Sequence, residues 1–298
     1  MFRLLYVATA GIGGCFCGSV LEKWRNNSFK VHAGNVPAPI HLPQIIPPEP
    51  PSNANNITHV MRFGFPGHDN IRSFDDFVLS YDRRNRAAHW VLEHLTPDKI
   101  KQNDNVNREL CRFSEDQSVH PFFRAQNQDY FKTGFDRGHL AAARNHHMNQ
   151  NACEQTFVLS NISPQIGPGF NRDAWNKLEK HVRNVTKYAY KNVYVCTGPL
   201  YLPRREGDGK LYVKYQVIGL NHVAVPTHFF KVIVGETKDG FFDAECYVMP
   251  NAVIDESLKL SSFQVPIESV ERSAGLLLFD KIPREKFRMI NHRKTTFI

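Results

Sequence analysis

The pattern of this 298-residue chain predicts an α+β (mixed α/β) domain with a central antiparallel sheet and flanking helices. Three observations carry that reading. Runs of strand length, alternating or wholly apolar, outnumber helical patterns between residues 77 and 249. One helical stripe stands out among them, Trp175, Leu178, Val182 and Val185. Because it follows directly on an apolar run, at least one strand-to-helix unit is embedded among the strands. The length allows one large domain or two small ones and a sizeable core.

Taken in order, residues 1–35 form a distinct leader: Arg3, an apolar run from Leu4 to Leu21 broken only by small and hydroxyl residues, then Lys23 and Arg25. A secretory signal, a membrane anchor and a mitochondrial leader with a sorting segment all fit that pattern. Residues 36–55 are proline-dense without core periodicity, which makes them a semi-rigid linker, a proline-rich ligand being the alternative. The folded domain is then 56–298. Phe77 to Tyr81 alternates as a strand, Asp82 to Arg86 is a turn with solvated arginines, and Ala88 to Leu95 is the second strand. Residues 96–130 are a long polar loop wrapping the site. Further strands are expected at Val193–Thr197, Leu211–Ile218, His228–Val234 and Ala244–Met249, with a loop at 201–209 and a helix at Ile267–Ala274 ending on Gly275. From Asp280 the chain is basic, either a solvated tail or a contact for a polyanion.

Composition narrows the partners. Thirty-seven basic against 29 acidic residues give a formal charge of +8, which favours nucleic acid or an anionic membrane. Of six cysteines, Cys15 and Cys17 fall in the leader, while Cys111, Cys153, Cys196 and Cys246 are widely spaced and expected to be reduced and buried. No internal repeat, P-loop, dinucleotide fingerprint or zinc-ribbon spacing is present.

The chemistry concentrates at 134–179, where Asp136, Arg137, Gly138 and His139 stand together, Asn161 closes TFVLSN, and Asn171, Trp175 and Glu179 follow at four-residue steps. Cleaving a phosphodiester needs an activated water, relief of phosphate charge and a stabilised leaving oxygen. His139 can supply the first and Arg137 part of the second, against the plainer reading of a turn histidine. Asn171 suits Mg²⁺, which takes oxygen ligands and keeps most of its waters; an N-cap is the alternative. On a continuous helix Glu179 would stand roughly 12 Å along the axis from Asn171, which assigns it a metal-bound water rather than the metal. Trp175 belongs to the core stripe. The adjacent His146 and His147 are expected at the surface.

The segments FDRGHLAA, QTFVLSNISPQ and NRDAWNKLE, with FGFPG at 63–67, FVLSYDRRNRAAHWVLEHL at 77–95 and FQVPIESVERSAGLLLF at 263–279, resemble the DNA/RNA non-specific endonuclease family and within it the mitochondrial branch. The resemblance spans most of residues 60–280. It implies a ββα-metal site with His139 as general base, Arg137, Asn161 and Glu179 as further catalytic residues, Asn171 as the Mg²⁺ ligand and Glu179 a metal partner through water. Nucleic-acid contacts would come from Arg137, Asp136, Arg172 and Arg112. The loop ISPQIGPGF is one residue longer than in many relatives. The implied activity is hydrolysis of DNA and RNA to 5′-phosphate and 3′-hydroxyl ends with Mg²⁺, or Mn²⁺ in its place. The alternatives are a 5′-exonuclease of the same fold, against which Asp136 speaks, and an idle nucleic-acid-binding protein. A homodimer, a transit peptide, mitochondrial location in the intermembrane space or at the inner membrane through residues 4–21, release to the nucleus, and a role in apoptotic DNA degradation or mitochondrial nucleic-acid turnover are implied as well.

Overall fold

A computed structural model describes residues 46–51 and 53–295; the leader at 1–35 and most of the proline-dense stretch lie outside the described residues. Residues 46–51 have no regular structure, yet Ile46 packs on the core and Glu49 pairs with Lys191 at 2.6 Å. Among the described residues no helix is long and apolar enough to cross a membrane.

The strands are β1 (Ile71–Ser73), β2 (Phe77–Asp82), β3 (Ala87–Leu95), β4 (Phe135–His139), β5 (Ile162–Ile166), β6 (Asn192–Leu200), β7 (Arg204–Arg205), β8 (Leu211–Tyr212), β9 (Val217–Ile218), β10 (Val223–Ala224), β11 (His228–Glu236), β12 (Phe242–Pro250), β13 (Phe287–Ile290) and β14 (Arg293–Lys294). Eight of them make one sheet in the order β1-β2-β3-β6-β11-β12-β13-β14. Every neighbouring pair is antiparallel except β12 and β13, which run parallel. The α+β expectation holds, and the basic C-terminal stretch turns out to be the sheet's edge, where Arg288 pairs with Asp243 at 2.5 Å.

Both faces of the sheet are covered, because side chains alternate across it. Trp90, Leu92, Tyr194, Cys196, Phe230 and Val232 face one cluster, closed by the helices α1 (Asn56–Val60) and α4 (Ile267–Ala274). Val91, Val193, Val195, Phe229 and Ile233 face the other, closed by α3 (Asn176–Tyr188), with the short helix α2 (Gln150–Gln155) outside it. Trp175, Leu178 and Val182 are the buried stripe of α3, with Val185 packed at its margin, as the spacing predicted. Each such buried side chain contributes about 1.5–3 kcal/mol, so this stripe is what seats the helix on the sheet.

Two expectations are corrected. Leu211–Ile218 is not one strand: only its ends pair, in two-residue hairpins outside the sheet, and Leu211, Val213 and Val217 are exposed. β-branched and aromatic residues made the run look like a strand, but it has no sheet to lie on. His146 and His147 are buried, not at the surface. His146 Nε2 lies 3.0 Å from Glu93 Oε1 and its Nδ1 3.9 Å from Asp76, so it replaces lost hydration with two carboxylates.

Those carboxylates outweigh burial and raise the His146 pKa to about 9. A raised folded-state value means the stabilisation is complete below the unfolded value near 6.5 and disappears as pH rises through about 9. His146→Asn is therefore expected to cost roughly 3 kcal/mol at pH 6. Chemical denaturation of both proteins at several pH values should find that difference shrinking toward pH 9.5.

Candidate active site

The antiparallel pair β4–β5 sits on the α3 face of the sheet, with His139 opposite Ile162 and Asp136 opposite Gln165. Strand alternation puts Arg137 and His139 on one face of β4 and Asp136 and Gly138 on the other. A Cβ at Gly138 would overlap the Gln165 side chain, which lies against the glycine.

His139 stands against two aromatic rings, Phe157 edge-on at 4.6 Å and Phe113 tilted at 5.5 Å. Its Nε2 is buried and has no hydrogen-bond partner. Burial, reinforced by the cations Arg108 and His146, pushes its pKa down to about 3, so the imidazole is neutral at neutral pH. The Arg137 guanidinium lies 4.3 Å from the Phe113 ring centre and donates to Asn127 Oδ1 at 2.6 Å, leaving the rest of its fork exposed.

Asn161 is fully buried. Its Oδ1 accepts from Ala141 N at 2.9 Å, and its Nδ2 donates to Ala141 O and Thr156 O at 3.0 and 2.8 Å. Every side-chain group is bonded to backbone, so Asn161, expected among the catalytic residues, braces the chain just after His139.

Between β5 and α3 the chain makes a wide helical turn, Gly167–Trp175, broken by extended Pro168 and by Gly169 at φ +81°. The break lies before Asn171, so from Phe170 the turn is helical and runs on into α3, as expected of Asn171 and Glu179. Asn171 and Arg172 sit on this turn facing β4. Asp136 Oδ2 accepts from Asn171 Nδ2 at 2.9 Å and from Arg172 Nε at 2.9 Å, while its Oδ1 accepts from Arg172 Nη2 at 2.7 Å. Arg172, with Asn171 assisting, holds the Asp136 carboxyl below the usual range. Asp136 and Arg172, expected to touch nucleic acid, are thus engaged with each other. A carboxylate can only accept, so Asn171 must turn its nitrogen to Asp136, and its oxygen accepts no hydrogen bond among the described residues.

Glu179 follows one turn into α3, where burial raises its pKa against the pull of Lys231 and Arg183. It makes no hydrogen bond among the described residues. Beneath it Lys231, 1% exposed, donates to Thr197 Oγ1 at 2.6 Å and lies 4.9 Å from the Trp175 ring. Glu93 is fully buried, accepts from Asn145 Nδ2 at 2.9 Å, and leaves Oε2 without a partner. Arg183 donates to Asn145 Oδ1 at 3.3 Å. Lys231, Arg183 and His146 thus act on Glu179 and Glu93 in one charge-balanced layer.

Arg112, an expected phosphate contact, is folded back onto the carbonyls of Glu109 and Cys111. Arg108 is the arginine that reaches the centre: its guanidinium lies 5.8 Å from the Phe157 ring and its charge acts on both His139 and Glu179. Nothing local in the sequence marks it. Glu93 and Lys231 did leave a signal, a single charge inside an apolar strand.

No group of three or more His, Cys, Asp or Glu able to hold a metal occurs among the described residues, which excludes a ligand-rich cage there. One amide oxygen and one carboxylate without hydrogen-bond partners fit a hard cation that keeps most of its waters.

The sequence profile of the DNA/RNA non-specific endonucleases matches residues 56–285. The mitochondrial endonuclease G of Caenorhabditis elegans is 56% identical over 223 residues, 75% of this chain and 72% of the relative. The human mitochondrial endonuclease G is 49% identical over 285 residues, 94% and 95% of the two chains. A crystal structure of an EndoG/EndoGI complex superposes with a TM-score of 0.80 at 60% identity, covering 82% of this chain and 99% of that one. By profile, relatives and fold alike, this chain belongs to the DNA/RNA non-specific endonuclease family.

Proposed function

We propose that this nuclease is a Mg²⁺-dependent endonuclease that cuts DNA and RNA with little base preference, leaving 5′-phosphate and 3′-hydroxyl ends. The observation that carries the reading is a neutral His139 on the same hairpin-and-turn unit as Asn171, whose amide nitrogen is held by Asp136 and whose oxygen accepts no hydrogen bond among the described residues. His139 takes the proton of a water as its oxygen attacks phosphorus in line; the bond to O3′ breaks, and that oxygen is protonated from solvent. Asn171 would hold the ion directly and Glu179 through water, and a bound ion supplies Lewis-acid relief of charge on the phosphate and the leaving oxygen. Arg137 and Arg108 offset charge on the non-bridging oxygens. Arginine contacts to phosphate read no base edge, which accounts for low sequence preference.

Relatives named mitochondrial support a mitochondrial location, with residues 1–35 as the targeting segment. By the same likeness we propose a homodimer, and a role in DNA breakdown during cell death or in mitochondrial nucleic-acid turnover.

Closed circular plasmid tests endonuclease action, since an exonuclease finds no end on it. The full-length chain should nick it with Mg²⁺ and not with EDTA, and His139→Ala and Asn171→Ala should each lose on the order of a hundredfold or more in rate. Metal-independent nicking, or full activity in either variant, contradicts the assignment. A second check is pH: a depressed His139 pKa leaves the base neutral above about 3, so kcat/KM with chemistry limiting should show no protonation step for it between pH 8 and 5. A histidine step near 6.5 that disappears in His139→Ala would contradict the burial argument.

A further inference from the structure

Cys111 and Cys153 are both buried, and their sulfurs are 3.6 Å apart. They are 42 residues apart in sequence, one in the loop before β4 and the other in α2, so only the tertiary structure joins them. The surrounding backbone is clamped on both sides of the pair. On one side Gln150 Oε1 accepts from Asn107 N at 2.8 Å and its Nε2 donates to Asn107 O at 3.2 Å. On the other, Ser114 N donates to Phe157 O at 3.2 Å and Leu159 N to Ser114 O at 2.8 Å. The thiols are thereby held in van der Waals contact, and a bond length near 2 Å needs only about 1.5 Å of approach.

We propose that Cys111 and Cys153 form a reversible disulfide under peroxide, and that this bond lowers nuclease turnover by disturbing the aromatic seat of His139. Cys111 is the less enclosed residue of the two, 6% exposed against 0% for Cys153. Burial and the neighbouring thiol keep Cys153 protonated, its pKa pushed up to about 12, and the first oxidation is placed on the less enclosed Cys111. Its sulfur attacks hydrogen peroxide: an S–O bond forms, the O–O bond breaks, and hydroxide leaves as water. Cys153 sulfur then attacks the sulfenic sulfur; the S–S bond forms, the S–O bond breaks, and the departing hydroxide takes the Cys153 proton. Two thiols lose two electrons and two protons, and the peroxide becomes two waters.

The route to the active site is short. Phe113 stands two residues beyond Cys111 and Phe157 four beyond Cys153, and these are the rings packed on His139. With the backbone clamped next to both rings, side-chain approach of the sulfurs is absorbed where Phe113 and Phe157 meet at 5.0 Å. Displacement of a catalytic group by an ångström costs orders of magnitude in the limit, and a partial shift about tenfold. This consequence for turnover rests on His139 as the base; the cross-link itself does not.

The test treats the full-length chain with hydrogen peroxide and then dithiothreitol, following mass, disulfide-linked peptides and plasmid nicking. The expected result is a loss of two hydrogens, a peptide joining Cys111 to Cys153, and nicking reduced about tenfold and restored by the reductant. Cys153→Ser should nick normally when reduced and lack the reversible loss; Cys111→Ala serves the same purpose should the serine impair folding. Oxygen addition to separate cysteines without a joined peptide overturns the proposal. A joined peptide with unchanged nicking overturns its functional half. Failure of the reduced wild type to nick at all would instead count against the endonuclease reading, and the peptide map would still report on the bond.

Discussion

The Asp136 carboxylate is the contact on which the site depends. It ties the first strand of the active-site hairpin to the wide turn beyond the second, through three hydrogen bonds to Asn171 and Arg172. That turn departs from helical geometry at Pro168 and Gly169, just before Asn171, and then runs on into α3. The ion pair fixes both the position of the turn and the rotation of one amide. Arg172 is the counter-charge that keeps Asp136 ionised and acceptor-only, even though its own side chain is 62% exposed.

Below this clamp the sheet supplies rigidity and charge balance. Buried carboxylates are tolerated only with compensation, and here Lys231, Arg183 and His146 stand against Glu93 and Glu179. The arrangement spans β3, β11, α3 and the turn after β4, so the elements that carry the chemistry are fastened to the core through polar contacts as well as through Trp175 and its stripe. His139 is fastened differently: two rings on its sides and the Asn161 brace behind the following residues leave its ring fixed, neutral and unbonded at Nε2. Preorganisation of this kind lets a group act without paying reorganisation at the moment of reaction.

Much of this was legible in the sequence, for physical reasons. The strands β2, β3, β6, β11 and β12 announce themselves because a sheet buried on both faces needs continuous apolar runs, and α3 because its stripe repeats at helical spacing. The clustering of Asp136, Arg137, His139, Asn161, Asn171 and Glu179 in one short unit was equally plain. What stayed hidden depended on partners distant in sequence. Nothing local tells that Asn161 turns wholly inward, that His146 meets Glu93 across 53 residues, or that Arg108 and not Arg112 reaches over Phe157. Leu211–Ile218 misled for the opposite reason, since strand propensity says nothing about whether a partner strand is present.

Whether Asp136 aims the Asn171 oxygen is open to one direct titration. Asp136→Asn keeps the size but can both donate and accept, so the amide of Asn171 is no longer forced to one rotation. Plasmid nicking measured against Mg²⁺ concentration should then demand roughly tenfold or more metal for half-maximal rate, with most of the rate recovered at saturation. An unchanged Mg²⁺ requirement in a variant that remains folded would contradict the claim that this carboxylate sets the metal ligand in place.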